Sequence, residues 1–199
     1  MSKILIATTN NSKFEVVKEL LISCGFENYN FKLLKDLDLI IEDKKENGNI
    51  FERAKDKAVN VYNTINNSKY NNDFEYIIGI DDGIEIKNII NPNVKTLISP
   101  IINNELLKDS EIVYICRAFY FYKNNTNQKG IITKIPFKYK QWTKDIDFLK
   151  EHSYPLSYVL CPLNSNLPVI EMDKKVSNDY NLSYCKKELK SIKKELDII

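Results

Sequence analysis

The chain is predicted to be an α/β protein built on a mixed sheet, and three observations predict it. Ile4-Leu5-Ile6-Ala7 and Tyr76 to Ile80 are short, continuous apolar runs, as expected of strands buried on both faces. Three amphipathic stripes, with apolar residues three and four apart, begin near Ser12, Asn49 and Leu182 and mark helices. Between Ile84 and Leu160 the apolar residues gather instead in β-branched and aromatic runs.

Taken in order, the first strand is followed at once by the polar loop Thr8-Thr9-Asn10-Asn11. Ser12 and Glu15 stand at capping-box spacing, and Phe14, Val17, Leu20, Leu21 and Cys24 form one stripe, so a helix is expected from Ser12 to a stop at Gly25. A second helix is expected from Asn49 to Ile65, with Phe51, Ala54, Ala58, Val61 and Ile65 on its apolar face. The strand Tyr76 to Ile80 is expected to stop at Asp81-Asp82-Gly83. Further strands are expected at Ile84 to Ile86, Glu111 to Tyr122, Gly130 to Tyr139 and Ser157 to Leu160. Leu182, Cys185, Leu189, Ile192, Leu196 and Ile199 define the last helix, its other faces rich in Lys. The Asn-rich pieces Asn66 to Asn72 and Lys123 to Gln128 are short enough for surface loops. With no internal repeat, residues 1–199 are read as a single domain.

The 199 residues, 43% of them hydrophobic, suffice for a buried core and exclude a disordered chain. Lys plus Arg number 29 against 27 Asp plus Glu, a net charge of +2, so no broad field for nucleic acid or a membrane surface is expected. Within that balance 27 of the basic residues are Lys and only Arg53 and Arg117 are Arg, beside 24 Asn and 27 Ile. Such an excess resembles an A+T-rich coding bias, so Arg, Gly, the one His and the one Trp carry more information than any Lys or Asn. Cysteines 24, 116, 161 and 185 form no CxxC pair, so reduced core thiols are expected rather than zinc or disulfides. The apolar run of MSKILIATTN is too short for a signal peptide, and no stretch approaches the ~20 apolar residues of a membrane span; a cytoplasmic protein is expected.

Three constellations can carry chemistry. The first is the strand-loop-helix start with Lys13 in the first turn, where free backbone N–H groups and a Lys suit a phosphate; a solvated Lys is the plain alternative. Neither GxxxxGK[ST] nor GxGxxG occurs. The second is Glu46-Asn47-Gly48 followed by Phe51, Arg53, Ala54, Lys57 and Ala58. Arg53 and Lys57 are like charges at i,i+4, tolerable if an anion lies across them or if Asp56 offsets Arg53. The third is Asp81-Asp82-Gly83 at the end of an apolar strand, where ligands bind in α/β folds and carboxylates hold Mg²⁺. Neighbouring strand residues face opposite ways, so both Asp serve one site only if the strand breaks at Gly83; a hairpin turn has the same composition. His152 has no Ser or Cys partner in view and reads as a surface residue. Trp142, Phe137, Tyr139, Tyr120 and Tyr122 read as core packing, with base stacking the alternative.

In this order the pieces resemble the inosine triphosphate pyrophosphatase (Ham1/Maf-like) superfamily. Ile6-Ala-Thr-Thr-Asn10-Asn-Ser-Lys13 is similar to its A-T-x-N-x-x-K opening, Glu46-Asn-Gly48 through Lys57-Ala58 to its E-x-G-x-x-F…A-x-x-K-A helix, and Asp81-Asp82-Gly83 to its D-D-S-G-L segment. The inosine/xanthosine triphosphatase branch is resembled too, in Arg53-Ala54 and in Gly79 to Ile84. The likeness covers residues 3–86. Beyond them the Gly-rich F-G-Y-D-P segment has no counterpart, and Ser183-Tyr184-Cys185 stands where S-H-R is expected.

The resemblance implies an elongated mixed sheet with flanking helices, two lobes around a central cleft, and a homodimer binding Mg²⁺ and a nucleoside triphosphate. It implies water attack at the α-phosphorus, giving monophosphate and pyrophosphate. Glu46 and Asp81 or Asp82 would hold the metal and activate the water, and Lys57, with Lys13 and Arg53, would neutralise charge on the phosphates at the catalytic centre. Thr8, Asn10, Lys13, Arg53 and Ser183 would bind substrate. The shorter branch implies release of phosphate instead, and loss of the C-terminal motifs would suit a nucleotide-binding protein without catalysis.

Overall fold

The computed structural model describes residues 2–41, 47–124, 127–144 and 156–198. The chain divides into two compact units, one of Met1–Asp82, Arg117–Thr133 and Leu182–Ile199 and the other of Gly83–Cys116 and Lys134–Asn181.

The first unit opens with β1 (Lys3–Ile6), α1 (Asn11–Leu21), a π-helical turn (Ile22–Phe26) and β2 (Asn30–Leu33). It continues through α2 (Ile50–Asn66) into β3 (Tyr76–Ile86), and β5 (Ile112–Tyr122), β6 (Gln128–Tyr139) and the long helix α5 (Lys174–Ile198) also contribute to it. β4 (Ile89–Asn91), α3 (Ile98–Ile102), α4 (Leu156–Val159) and β7 (Leu160–Pro162) belong to the second unit. The strand order is β2-β1-β3-β5-β6-β7, with β4 paired to β3. β1 is parallel to both β2 and β3, whereas β4 and β7 run antiparallel to their partners, so the sheet is mixed as expected.

β2 and β3 flank β1 on opposite sides, so the crossovers carrying α1 and α2 run in opposite directions across the sheet. Right-handed connection then places the two helices on opposite faces. On the α1 face, Val17, Leu20, Leu21 and Cys24 are buried with Cys185, Leu189, Ile192 and Leu196 of α5, and the Tyr76 hydroxyl donates to the Leu196 carbonyl at 3.4 Å. On the α2 face, Ala54, Ala58, Val61 and Ile65 are buried, and Phe51 and Tyr62 pack edge-on against Tyr120 and Tyr122 of β5.

Gly79 sets how closely α2 approaches β3. A Cβ there would lie 1.8 Å from the Ala54 carbonyl oxygen and 2.9 Å from the Ala58 nitrogen, backbone atoms that cannot rotate away. Gly79→Ala is therefore expected to push α2 off the sheet and lower stability by about 2 kcal/mol, read as a lower urea midpoint at unchanged m-value.

In the second unit, β7 pairs with β6 through Phe137↔Pro162 and Tyr139↔Leu160. Asn104 brackets Trp142, accepting its backbone N–H at 2.7 Å and donating to its carbonyl at 3.1 Å. The Tyr180 hydroxyl donates to the Pro136 carbonyl. Phe137, Tyr139 and Trp142 here, and Tyr120 and Tyr122 in the first unit, are buried, as the core reading of the aromatics expects.

Four local expectations are corrected. The cap of α1 is Asn10, whose side chain accepts the Lys13 N–H at 3.0 Å, rather than Ser12; both are good caps, and the helix starts two residues earlier than that box would allow. β3 does not stop at Asp81-Asp82-Gly83 but runs unbroken to Ile86, because each carboxylate finds a cation on its own face. Ser157 to Leu160 is mostly the short α4, with β7 starting only at Leu160; a four-residue apolar run has too little length to reveal its period. α5 begins at Lys174, before its apolar stripe starts. β2 has no strong sequence signal and forms by pairing with β1.

All four cysteines are buried and free. Among the described residues no helix is long and apolar enough to cross a membrane. His152 lies outside the described residues.

Candidate active site

β1 ends at Ile6, opposite Ile78, and the Ala7 N–H donates to the Ile78 carbonyl at 2.8 Å. β3 therefore continues past its β1 neighbour, and the loop Thr8 to Asn10 turns beside the extension that carries Asp81 and Asp82. That is the end of a parallel strand pair, where α/β folds leave room for ligands. Every described residue the sequence singled out as a site candidate belongs to this same unit.

The loop braces itself. The Thr8 hydroxyl oxygen accepts the Asn10 N–H at 3.2 Å, and the Asn10 carboxamide oxygen caps α1. The cap takes the Lys13 N–H, and the helix start that remains favours anions. Lys13 rises from that turn, and its Nζ lies 2.7 Å from Asp82 Oδ2.

On the same face Arg117 of β5 meets the other oxygen: its Nε is 2.6 Å from Asp82 Oδ1 and its Nη2 is 3.4 Å from Oδ2. Asp82 thus holds two cations in one geometry. Burial alone would raise its pKa, but the Arg117 and Lys13 charges and their hydrogen bonds outweigh it and keep the carboxyl well below the usual carboxylate range. The three side chains retain 23% (Asp82), 24% (Lys13) and 14% (Arg117) of their exposure, enough to meet a ligand.

Asp81 turns to the α2 face. Its carboxylate is 8% exposed, and Oδ1 lies 2.5 Å from Lys57 Nζ, which also reaches the Ile80 carbonyl at 3.5 Å. Lys57 can reach because Gly79 lets α2 lie directly on β3. Arg53, one turn earlier, is 7% exposed, and its Nε donates to the Gly48 carbonyl at 3.1 Å. The two like charges are drawn apart: Arg53 turns back to the start of its helix, and Lys57 turns to Asp81.

The structure therefore brings Thr8, Asn10, Lys13, Lys57, Asp81 and Asp82 to the middle of β3, just past the end of its pairing with β1, divided between the two faces of the strand. A shared metal site for both Asp required the strand to break, and it does not. Among the described residues no three His, Cys, Asp or Glu side chains come together to hold a metal, and Glu46 lies outside the described residues. Carboxylate oxygens are the donors that Mg²⁺ takes, so Asp81 fits it by chemistry, whereas both oxygens of Asp82 face cations. Ser183 is exposed on α5. It stands about 200° around the helix from the inward-packed Cys185.

Arg117 is the site residue that the motifs miss. It sits inside an aromatic strand, where nothing in the spacing marks it. Its rarity was the available signal, since the chain has only two Arg, one on Asp82 and the other at the start of α2.

Neither a protein-family profile nor the sequence of any curated protein matches the chain. Solved structures do match in fold, over nearly the whole length. The nucleoside-triphosphatase (dITP/XTP pyrophosphatase) of Mycobacterium abscessus is similar with a TM-score of 0.58 at 11% identity, covering 96% of this chain and 97% of that one. The Ham1 protein of Staphylococcus aureus is similar with a TM-score of 0.63 at 12% identity, covering 98% and 100%. The HAM1 protein of Coxiella burnetii gives 0.64 at 14% identity, with the same coverage. The mixed α/β fold with flanking helices is thus the fold of these proteins.

Proposed function

We propose that this protein hydrolyses non-standard nucleoside triphosphates of the ITP or XTP type, with Mg²⁺, to the monophosphate and pyrophosphate. The observation that carries the reading is the division of labour on β3. One carboxylate is held by Lys57 on the α2 face, and the next organises two cations beside the N-terminus of α1. The fold similarity to a dITP/XTP pyrophosphatase supports it.

In this mechanism Lys13, Arg117 and the first amides of α1 bind the phosphates, with the Thr8 hydroxyl and the Asn10 carboxamide N–H₂ adding hydrogen bonds. Asp82 keeps the two cations spread apart and correctly aimed before substrate arrives, which is electrostatic preorganisation. Lys57 orients the Asp81 carboxylate, and Asp81 takes a proton from the attacking water. The water oxygen bonds to the α-phosphorus, the bond to the bridging oxygen breaks, and pyrophosphate leaves towards Lys13 and Arg117. Asp81, and Glu46 of the E-x-G motif, would hold Mg²⁺, which would supply charge neutralisation on the phosphates and a more acidic water.

Purified protein assayed with Mg²⁺ against ITP, XTP, dUTP and the standard triphosphates is expected to release pyrophosphate, fastest from ITP or XTP. Release of inorganic phosphate alone would assign it to the phosphatase chemistry, and no product from any of them would overturn the reading. The neutralisation of both carboxylates favours a second reading, a nucleotide-binding protein without turnover, which calorimetry would identify as binding with no product. A homodimer is the proposed assembly, to be checked by light scattering.

A further inference from the structure

Arg53 is buried, and its guanidinium reaches back to the chain's own backbone. Its Nε donates to the Gly48 carbonyl at 3.1 Å, five residues back across the start of α2. Gly48 has φ +79°, a conformation that suits glycine, and a Cβ there would lie 2.2 Å from Glu52 Oε2. That same Glu52 oxygen accepts the Asn49 N–H at 2.9 Å, while Asn49 Oδ1 accepts the N–H groups of Phe51 and Glu52 at 2.9 and 3.0 Å. Phe51 is wedged over Gly130, where a Cβ would come within 2.6 Å of its ring, and packs edge-on against Tyr120. The first turn of α2 is thus fixed by a capping box, an aromatic wedge and a side chain reaching back from the second turn.

A capping box satisfies a helix start by itself. The added Arg costs desolvation and side-chain entropy, and a solvated Lys would have been the easy choice in this Lys-rich chain. Lys57 lies one turn after Arg53, and its 2.5 Å contact with Asp81 depends on where α2 begins and how it is rotated. We propose that Arg53 is a positioning residue, which clamps the segment leading into α2 at the Gly48 carbonyl and thereby sets Lys57 against Asp81, and is not a ligand of the substrate phosphates. The proposal rests on the triphosphatase reading for its kinetic consequence, but the clamp itself does not.

Arg53→Lys separates the two roles. A phosphate ligand tolerates Lys, which is itself a good point charge for phosphate, whereas the planar donor that reaches Gly48 is lost. For the clamp, kcat is expected to fall about tenfold with KM for the triphosphate within about twofold. The amides of Phe51, Glu52 and Arg53 are expected to exchange hydrogen about tenfold faster in the free protein. Gly48→Ala, which disturbs the receiving carbonyl and leaves Arg53 in place, is expected to reproduce both changes. A KM raised tenfold at unchanged kcat in Arg53→Lys would overturn the proposal in favour of a phosphate ligand. Unchanged amide exchange in both variants would overturn it whether or not the protein turns over any triphosphate.

Discussion

Asp81→Asn is expected to lower kcat by about 10²–10⁴-fold while leaving KM for the triphosphate within a few-fold, because a general base acts in the transition state more than in binding. The substitution keeps the shape of a side chain that is 8% exposed and packed beneath α2, so the fold has room for it. What changes is charge. Lys57, 28% exposed and 2.5 Å away, loses its counterion and acquires a neutral partner, and the water loses its proton acceptor. The expected stability cost is about 1–3 kcal/mol, that of weakening one charge-assisted hydrogen bond, and a thermal melt shows whether the protein assayed is still folded. Asp82→Asn is the informative companion. Since Asp82 touches only cations in this mechanism, its loss is expected to raise KM more than it lowers kcat. Full kcat in Asp81→Asn, with the loss appearing in Asp82→Asn instead, would reverse the roles of the two residues.

That division was half legible in the sequence. Residues of the strand-loop-helix start, of the α2 motif and of the Asp pair could all be named from spacing, and of the described ones Thr8, Asn10, Lys13, Lys57, Asp81 and Asp82 come together past the end of the β1–β3 pairing. What spacing could not reveal was that β3 continues through Gly83. Asp-Asp-Gly is turn composition, and only Lys57, Lys13 and Arg117, contributed by three different elements, make it acceptable inside a strand. The helices were easier, because the stripes of α2 and of the later part of α5 come from burial against a sheet and repeat every three or four residues. β2 was not legible, since four residues with one buried side chain have no period, and their conformation comes from pairing with Lys3–Ile6. The resemblance makes Arg53 a substrate-binding residue, because the sequence alone cannot show a side chain folding back on its own helix start.

Arg117→Ala is expected to cost about 3 kcal/mol at neutral pH, towards the value for breaking a buried ion pair and well above the ~0–1 kcal/mol of a surface one. The exposures decide between those limits: 14% for Arg117 and 23% for Asp82, against 39% and 41% for the surface pair Lys3–Asp73, whose removal is expected to be nearly silent. The pH dependence gives the sign. The Asp82 pKa is depressed in the folded protein, so its contribution is fully present above the ordinary carboxylate pKa, near 3.8, and is lost as pH falls below that towards the folded value. Removing Arg117 leaves Lys13 as the partner of Asp82, brings the folded pKa back up, and so shrinks this contribution. Wild type and Arg117→Ala should therefore differ most in stability above about pH 4 and converge at lower pH, where Asp82 is protonated in both. Urea titrations between pH 2 and pH 7 measure this directly. Asp82→Asn should flatten the same pH dependence, and the double variant should lose less than the sum of the two, because both substitutions remove one shared interaction. Additive losses, or a gap between wild type and Arg117→Ala that stays constant down to pH 2, would mean that Arg117 stabilises the strand through packing and that Asp82 does not organise the cations as the mechanism requires.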